Sequence, residues 1–154
     1  IWAPFLYGFI PTDRTNLAPS TIKNSIRALK NGEVLGVFPE GTSLSNVLRP
    51  AKNGAAFLSA AGKTRLLPIG ITGLENAWEM MFRGVRPSVN IRIGTPFGPF
   101  TLSKSKNDKE RDLNEIGSEI MCRIAALLPE NIHGAFKYNN TINDYRKKNG
   151  LPDF

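Results

Sequence analysis

Residues 34–43 read VLGVFPEGTS, and two kinds of local structure meet inside them. Val34, Leu35, Val37 and Phe38 have the length and the β-branched, aromatic content of a short buried strand, and Pro39-Glu40-Gly41-Thr42-Ser43 stops it with turn chemistry. An acid therefore stands where a strand ends. On these residues alone Glu40 reads equally as a solvated turn acid, with Pro39 and Gly41 shaping the turn, or as a carboxylate held at a functional strand end.

Working outward, residues 20–30 predict a helix with Ile22, Ile26 and Leu29 on its buried face, Ser20 after Pro19 as N-cap and Asn31-Gly32 as a left-handed stop. Downstream, Asn53-Gly54 opens a small-residue helix, NGAAFLSAA, that Gly62 closes. Residues 66–72, LLPIGIT, predict a second buried strand, in which Pro68 marks an edge, a bulge or a strand end. Residues 89–94, VNIRIG, predict a third, with Val89, Ile91 and Ile93 alternating against a wetter face. A long helix is expected over residues 108–128, with Leu113, Ile116, Ile120, Ile124 and Leu127 at helical spacing, a charged linker before it and Pro129 after it. Residues 138–154 are polar enough to be a loosely held tail. Strands alternating with helices predict one α/β domain, a mainly parallel or mixed sheet flanked by helices, with functional residues at strand ends such as those of Arg14 and Glu40.

Composition narrows the partners. Twenty Lys and Arg against 13 Asp and Glu give a formal charge of +7, which favours phosphorylated substrates, acidic lipid surfaces or nucleic acid, or else a basic surface kept for solubility. No apolar run approaches the roughly 18 residues that span a bilayer. The chain opens on IWAPFLYGFI, apolar and uncharged, which reads as a cut through a fold whose earlier residues are missing. Cys122 is the sole cysteine, so no intrachain disulfide forms, a reducing cytoplasmic setting fits, and the thiol, opposite the apolar stripe of its helix, reads as incidental. No His, Cys or carboxylate cluster has metal-ligand spacing, so neither a metal nor a bound cofactor is expected.

Taken in order, Gly8-Phe9-Ile10-Pro11-Thr12-Asp13-Arg14, Phe38-Pro39-Glu40-Gly41-Thr42, Lys52-Asn53-Gly54 and Leu67-Pro68-Ile69-Gly70-Ile71 resemble the 1-acylglycerol-3-phosphate acyltransferase family. The resemblance runs from the N-terminus to Pro129, and it implies a glycerol-3-phosphate acyltransferase-like single domain over residues 1–137, followed by the polar tail. It also implies transfer of a fatty acyl group from acyl-CoA or acyl carrier protein to a hydroxyl of a glycerol phosphate acceptor, on the cytoplasmic face of an anionic membrane. In that chemistry Arg14 supplies a guanidinium fork for phosphate and Glu40 accepts from a glycerol hydroxyl. Gly41 lets the backbone come close, Thr42 adds a hydroxyl or a backbone N–H, and Lys52 places a cation at a helix start. Without the resemblance Arg14 reads as a surface arginine beside Asp13, Lys52 as a solvated lysine and Thr42 as a turn residue.

Two departures stand out. The family commonly follows FPEGT with arginine, whereas Ser43 is found here, and Arg49 is the nearest downstream arginine that replaces the charge or is simply solvated. The family's catalytic pair is a histidine followed after four residues by an aspartate, the histidine acting as general base on the acceptor hydroxyl. The sole histidine, His133, has Tyr138 where that aspartate belongs, so the pair is expected upstream of Ile1 and the chain alone is expected to be inactive. The competing class is a non-catalytic lipid or acyl-thioester binding module. A nucleic-acid-binding domain rests on charge alone, without a binding motif, and is not expected. Finally, Trp78-Glu79-Met80-Met81-Phe82-Arg83 interleaves bulky apolar groups with charge, which fits either lipid contact or a core packed under a loop.

Overall fold

The computed structural model describes residue 10, residues 19–41 and residues 46–152. Helix α1 (Pro19–Lys30) begins on Pro19, whose missing N–H costs nothing at a first helical position, so Ser20 lies inside the helix and is not its cap. It ends as Asn31-Gly32 predicts. Gly32 takes φ +82°, and the amides of Gly32 and Glu33 donate to the carbonyls of Leu29 and Ala28 at 3.1 Å each. Its most buried positions are Thr21 and Ser25, while Ile22, Ile26 and Leu29 are half-buried, because α1 packs on a second helix through small residues.

That second helix, α2 (Gly54–Gly62), shows why glycine stands at its end: a Cβ on Gly62 would lie 2.9 Å from Leu29 Cδ1. The left-handed stop falls one residue later than expected, on Lys63 at φ 51°, and is held by the Ser59 hydroxyl donating to the Thr64 carbonyl at 2.7 Å. Ala55 and Ala56 of α2 form one core cluster with Phe97, Ile116 and Ile120, and Phe97 meets Phe100 edge-to-face.

Among the described residues there is one sheet, of two antiparallel strands, β1 (Ile69–Thr72) and β2 (Asn90–Ile93), with Ile69 opposite Ile93 and Ile71 opposite Ile91. Pro68 immediately precedes β1, the strand end the sequence allows. Between the strands stands the short helix α3 (Ala77–Phe82). The long helix is α4 (Lys106–Ala125), and Gly70 of β1 faces its C-terminal turn, where a Cβ would lie 3.0 Å from Leu127 Cβ. This close approach selects glycine in the strand. The period-two pleat then turns Ile69, Ile71, Ile91 and Ile93 away from the helix and leaves them exposed, so the expected buried strands carry their apolar face outward.

Two further corrections concern the expected strand and tail. Residues 34–38 join no ladder among the described residues, and Val34 and Phe38 are 98% and 87% exposed. A strand signal without a paired neighbour has neither ladder hydrogen bonds nor a face to bury. Conversely, the segment expected to hang loose carries α5 (Thr141–Lys148), docked on α4 with Ile142 and Arg146 buried. Because α5 and the 3₁₀ turn Gly134–Phe136 cover the second face of α4, Cys122 lies in the core with Met121, Ala125, Leu128, Phe136 and Ile142, and not opposite it. Arg123 seals this seam: it bonds Glu119 at 2.7 Å and lies 4.2 and 4.4 Å from the ring centres of Phe97 and Tyr145.

Candidate functional site

The turn that opens the site is closed by the Gly41 amide donating to the Phe38 carbonyl at 3.1 Å, with Gly41 at φ +70°. A positive φ already favours glycine, and here space does too: a Cβ would lie 2.7 Å from Lys52 Cδ and 2.9 Å from Lys52 Cε. The Lys52 side chain thus lies across the Gly41 backbone. The two segments are stitched by the Lys52 amide donating to the Pro39 carbonyl at 2.8 Å and the Arg49 amide donating to Glu40 Oε2 at 3.1 Å.

Glu40, Gly41, Arg49 and Lys52 are therefore brought together, and Arg14 and Thr42 lie outside the described residues, as does Ser43. Glu40 is half-buried with one oxygen engaged by the strap, while the side chains of Arg49 and Lys52 are exposed. One carboxylate beside two cations leaves a net positive edge, and Lys52 immediately precedes Asn53, the N-cap of α2, whose side chain makes no capping bond. Such an edge can hold an anion while the carboxylate accepts from a hydroxyl.

The base of the strap was not legible from motifs. Leu48 is buried in the core, its amide donates to the Ile132 carbonyl at 2.9 Å, and its carbonyl accepts from the Ala135 amide at 3.3 Å. Gly134, at φ +52°, makes this fit, since a Cβ there would run into the Leu48 carbonyl oxygen. A lone glycine after a histidine signals nothing by itself. Behind the strap Pro50 and Ala51 border a depression of about 310 Å³ floored by Gly117 and Ser118 of α4. A larger one of about 480 Å³ is lined by Asp112 and Glu115, charges that repel phosphate. The Ser103 hydroxyl and amide hold the Asp112 carboxyl below its ordinary value, with help from Arg111.

His133 sits in the turn after Pro129, fully buried, its Nε2–H donating to the Leu128 carbonyl at 3.1 Å. It is a structural histidine. Among the described residues no three His, Cys, Asp or Glu side chains converge, and no helix is long and apolar enough to cross a membrane.

This clasp lies within the stretch that identifies the chain: residues 2–72 match the Acyltransferase family, and the chain belongs to it. Among curated proteins it is 38% identical over 86 residues to a 1-acyl-sn-glycerol-3-phosphate acyltransferase of Bacillus subtilis (strain 168), a match covering 56% of this chain and 41% of that protein. It is 31% identical over 110 residues to one of Streptococcus pneumoniae (strain ATCC BAA-255 / R6), covering 70% of this chain and 39% of the relative. The matched stretches thus span about two-fifths of the curated relatives. No solved structure matches the chain.

Proposed function

We propose that this chain is the acceptor-binding part of an enzyme that transfers a fatty acyl group from acyl-CoA or acyl carrier protein to a lysophosphatidate-type glycerol phosphate in phospholipid synthesis. The observation that carries the reading is the clasp, in which Glu40 is fixed by the Arg49 amide while Lys52 lies over Gly41. The names of the relatives support the acceptor class. Arg14, Lys52 and Arg49 hold the phosphate, Arg49 standing in for the arginine absent at Ser43. Glu40 orients the glycerol with its free oxygen, and Gly41 and Thr42 line the approach. Neither a metal nor a bound cofactor enters this scheme, the acyl thioester being a co-substrate.

The domain runs over residues 1–137 with residues 138–154 as a docked polar tail, and its whole sheet is mainly parallel or mixed, β1 and β2 forming one antiparallel part of it. The enzyme works at the cytoplasmic face of a membrane. His133 is committed to the Leu128 carbonyl and no other histidine exists among the 154 residues, so the general base comes from outside them and the isolated chain transfers no acyl group. This same observation favours the second reading, a non-catalytic lipid or acyl-thioester binding module.

The deciding experiment assays the intact protein with a labelled acyl donor and two acceptors of equal chain length, lysophosphatidate and the matching monoacylglycerol. Preference for the phosphorylated acceptor of at least about tenfold in kcat/KM is expected, a margin near 1.4 kcal/mol. Transfer to neither, with the thioester still bound, leaves only the binding module.

A further inference from the structure

The excursion between β1 and β2 holds apolar side chains that the fold does not use. No residue of α3 is buried, and Leu74, Trp78, Met81, Phe82 and Val85 are all exposed, Trp78 at 74% and Phe82 at 87%. Their spacing is that of one helical face: Trp78, Met81, Phe82 and Val85 stand at i, i+3, i+4 and i+7, with Leu74 one turn before. Val85 is folded back onto the helix by its amide, which donates to the Met80 carbonyl at 2.8 Å, with Gly84 at φ +71° making the turn. Glu75, Glu79 and Arg83 recur at four-residue spacing off that stripe. Both acids are engaged, Glu75 by the Gly73 amide at 3.0 Å and Glu79 by Arg83 at 2.7 Å, and Arg86 has no ion-pair partner among the described residues.

We propose that segment 74–86 is the surface with which the protein lies on an anionic phospholipid bilayer, Trp78, Met81 and Phe82 entering the interface and Arg86 meeting headgroup phosphates. A short helix with its entire apolar face in water gains only by finding an apolar medium, and one with an aromatic stripe and flanking arginine lies in the plane of an interface. The chain's charge of +7 selects an anionic one. The inference rests on the membrane part of the function proposed above, since an acylglycerol phosphate resides in the bilayer, and not on the chemistry of the clasp.

The test places an environment-sensitive nitrobenzoxadiazole label at Phe82→Cys in the intact protein, with Tyr138→Cys, an exposed position outside the segment, as control; Cys122 is buried. With phosphatidylglycerol vesicles the label at 82 brightens and shifts to the blue while that at 138 stays unchanged. In the unlabelled protein, Trp78→Ser with Phe82→Ser lowers vesicle partitioning by at least about tenfold, and Arg86→Gln lowers it by about fivefold on anionic vesicles alone. Co-sedimentation with a silent label at 82 overturns the assignment and leaves membrane binding to another surface. Absence of co-sedimentation overturns both. A response that needs no vesicles and grows with protein concentration assigns the stripe to a second copy instead. Acyl transfer measured in parallel separates the two readings, because its loss with vesicle binding intact counts against the function and not against this surface.

Discussion

The guanidinium of Arg146 closes the C-terminal end of α4: Nη1 donates to the Ala126 carbonyl at 2.9 Å while Nε donates to the Pro152 carbonyl at 2.6 Å. The next two carbonyls are taken by Arg92 Nη1, at 3.3 Å from Leu127 O, and by His133 Nε2, at 3.1 Å from Leu128 O. Basic side chains from a strand, a turn and a helix thus converge on the negative pole of one helix. Arg146→Met keeps bulk and removes the donors, leaving buried carbonyls unsatisfied, and should cost about 2–4 kcal/mol in urea unfolding. Arg146→Lys should rescue less than half of that, because an ammonium cannot span both carbonyls as a planar fork does. Full rescue by lysine would reduce the role to simple charge.

Gly134→Ala should destabilise the protein by about 1–3 kcal/mol, through a strained φ and a Cβ driven against the Leu48 carbonyl. Since Leu48 anchors the strap carrying Arg49 and Lys52, the variant should also raise KM for the acceptor more than for the acyl donor. Gly150→Ala is the control, with a positive φ but open space around it; an equal loss of stability there would show that backbone strain alone matters.

Legibility in the sequence followed range. Local chemistry was readable: the Asn31-Gly32 stop, the boundaries of β2 to within a residue, and the grouping of Glu40 with Lys52 across twelve residues. What failed depended on partners distant in the chain. Ile91 and Ile93 look inward by alternation, yet which face of a strand is buried is set by where a helix docks, and Gly70 gave that face to α4. The polar tail looked unattached because Arg146 is a core residue only once the carbonyls of α4 are there to receive it. Cys122 looked idle for the same reason, its second core existing only after α5 folds back. Trp78 and Phe82 left two readings open, and their exposure removes the one that buries them under a loop.

Lys52→Ala in the intact enzyme should raise KM for a phosphorylated acceptor by about tenfold with little change for the acyl donor, the loss of one charged contact to phosphate. Arg14→Ala should act in the same sense. Glu40→Gln should lower kcat/KM for the acceptor while keeping the bond from the Arg49 amide, whereas Glu40→Ala removes that bond as well and should loosen the strap. Equal kinetics for the two Glu40 variants would mean that the carboxylate positions the strap and does not touch acceptor.

Asp112 and Cys122 supply opposite pH signatures. The Asp112 carboxyl is held below its ordinary 3.8 by bonds from Ser103, so its contribution to stability is present above that value and is lost as pH falls below it; Asp112→Asn should flatten the acid limb of the unfolding curve. Burial raises the Cys122 thiol above its ordinary 9.0, so its contribution is complete at neutral pH and falls away as pH rises past that value. The neutral thiol is also a poor nucleophile. At pH 8 a disulfide reagent should therefore react with native protein at least about a hundredfold more slowly than with protein in urea, at a rate that follows the opening of the α4 and α5 seam. Arg146→Met, which loosens that seam, should accelerate it; fast reaction of the native wild-type protein would place Cys122 at the surface and contradict the packing of α5.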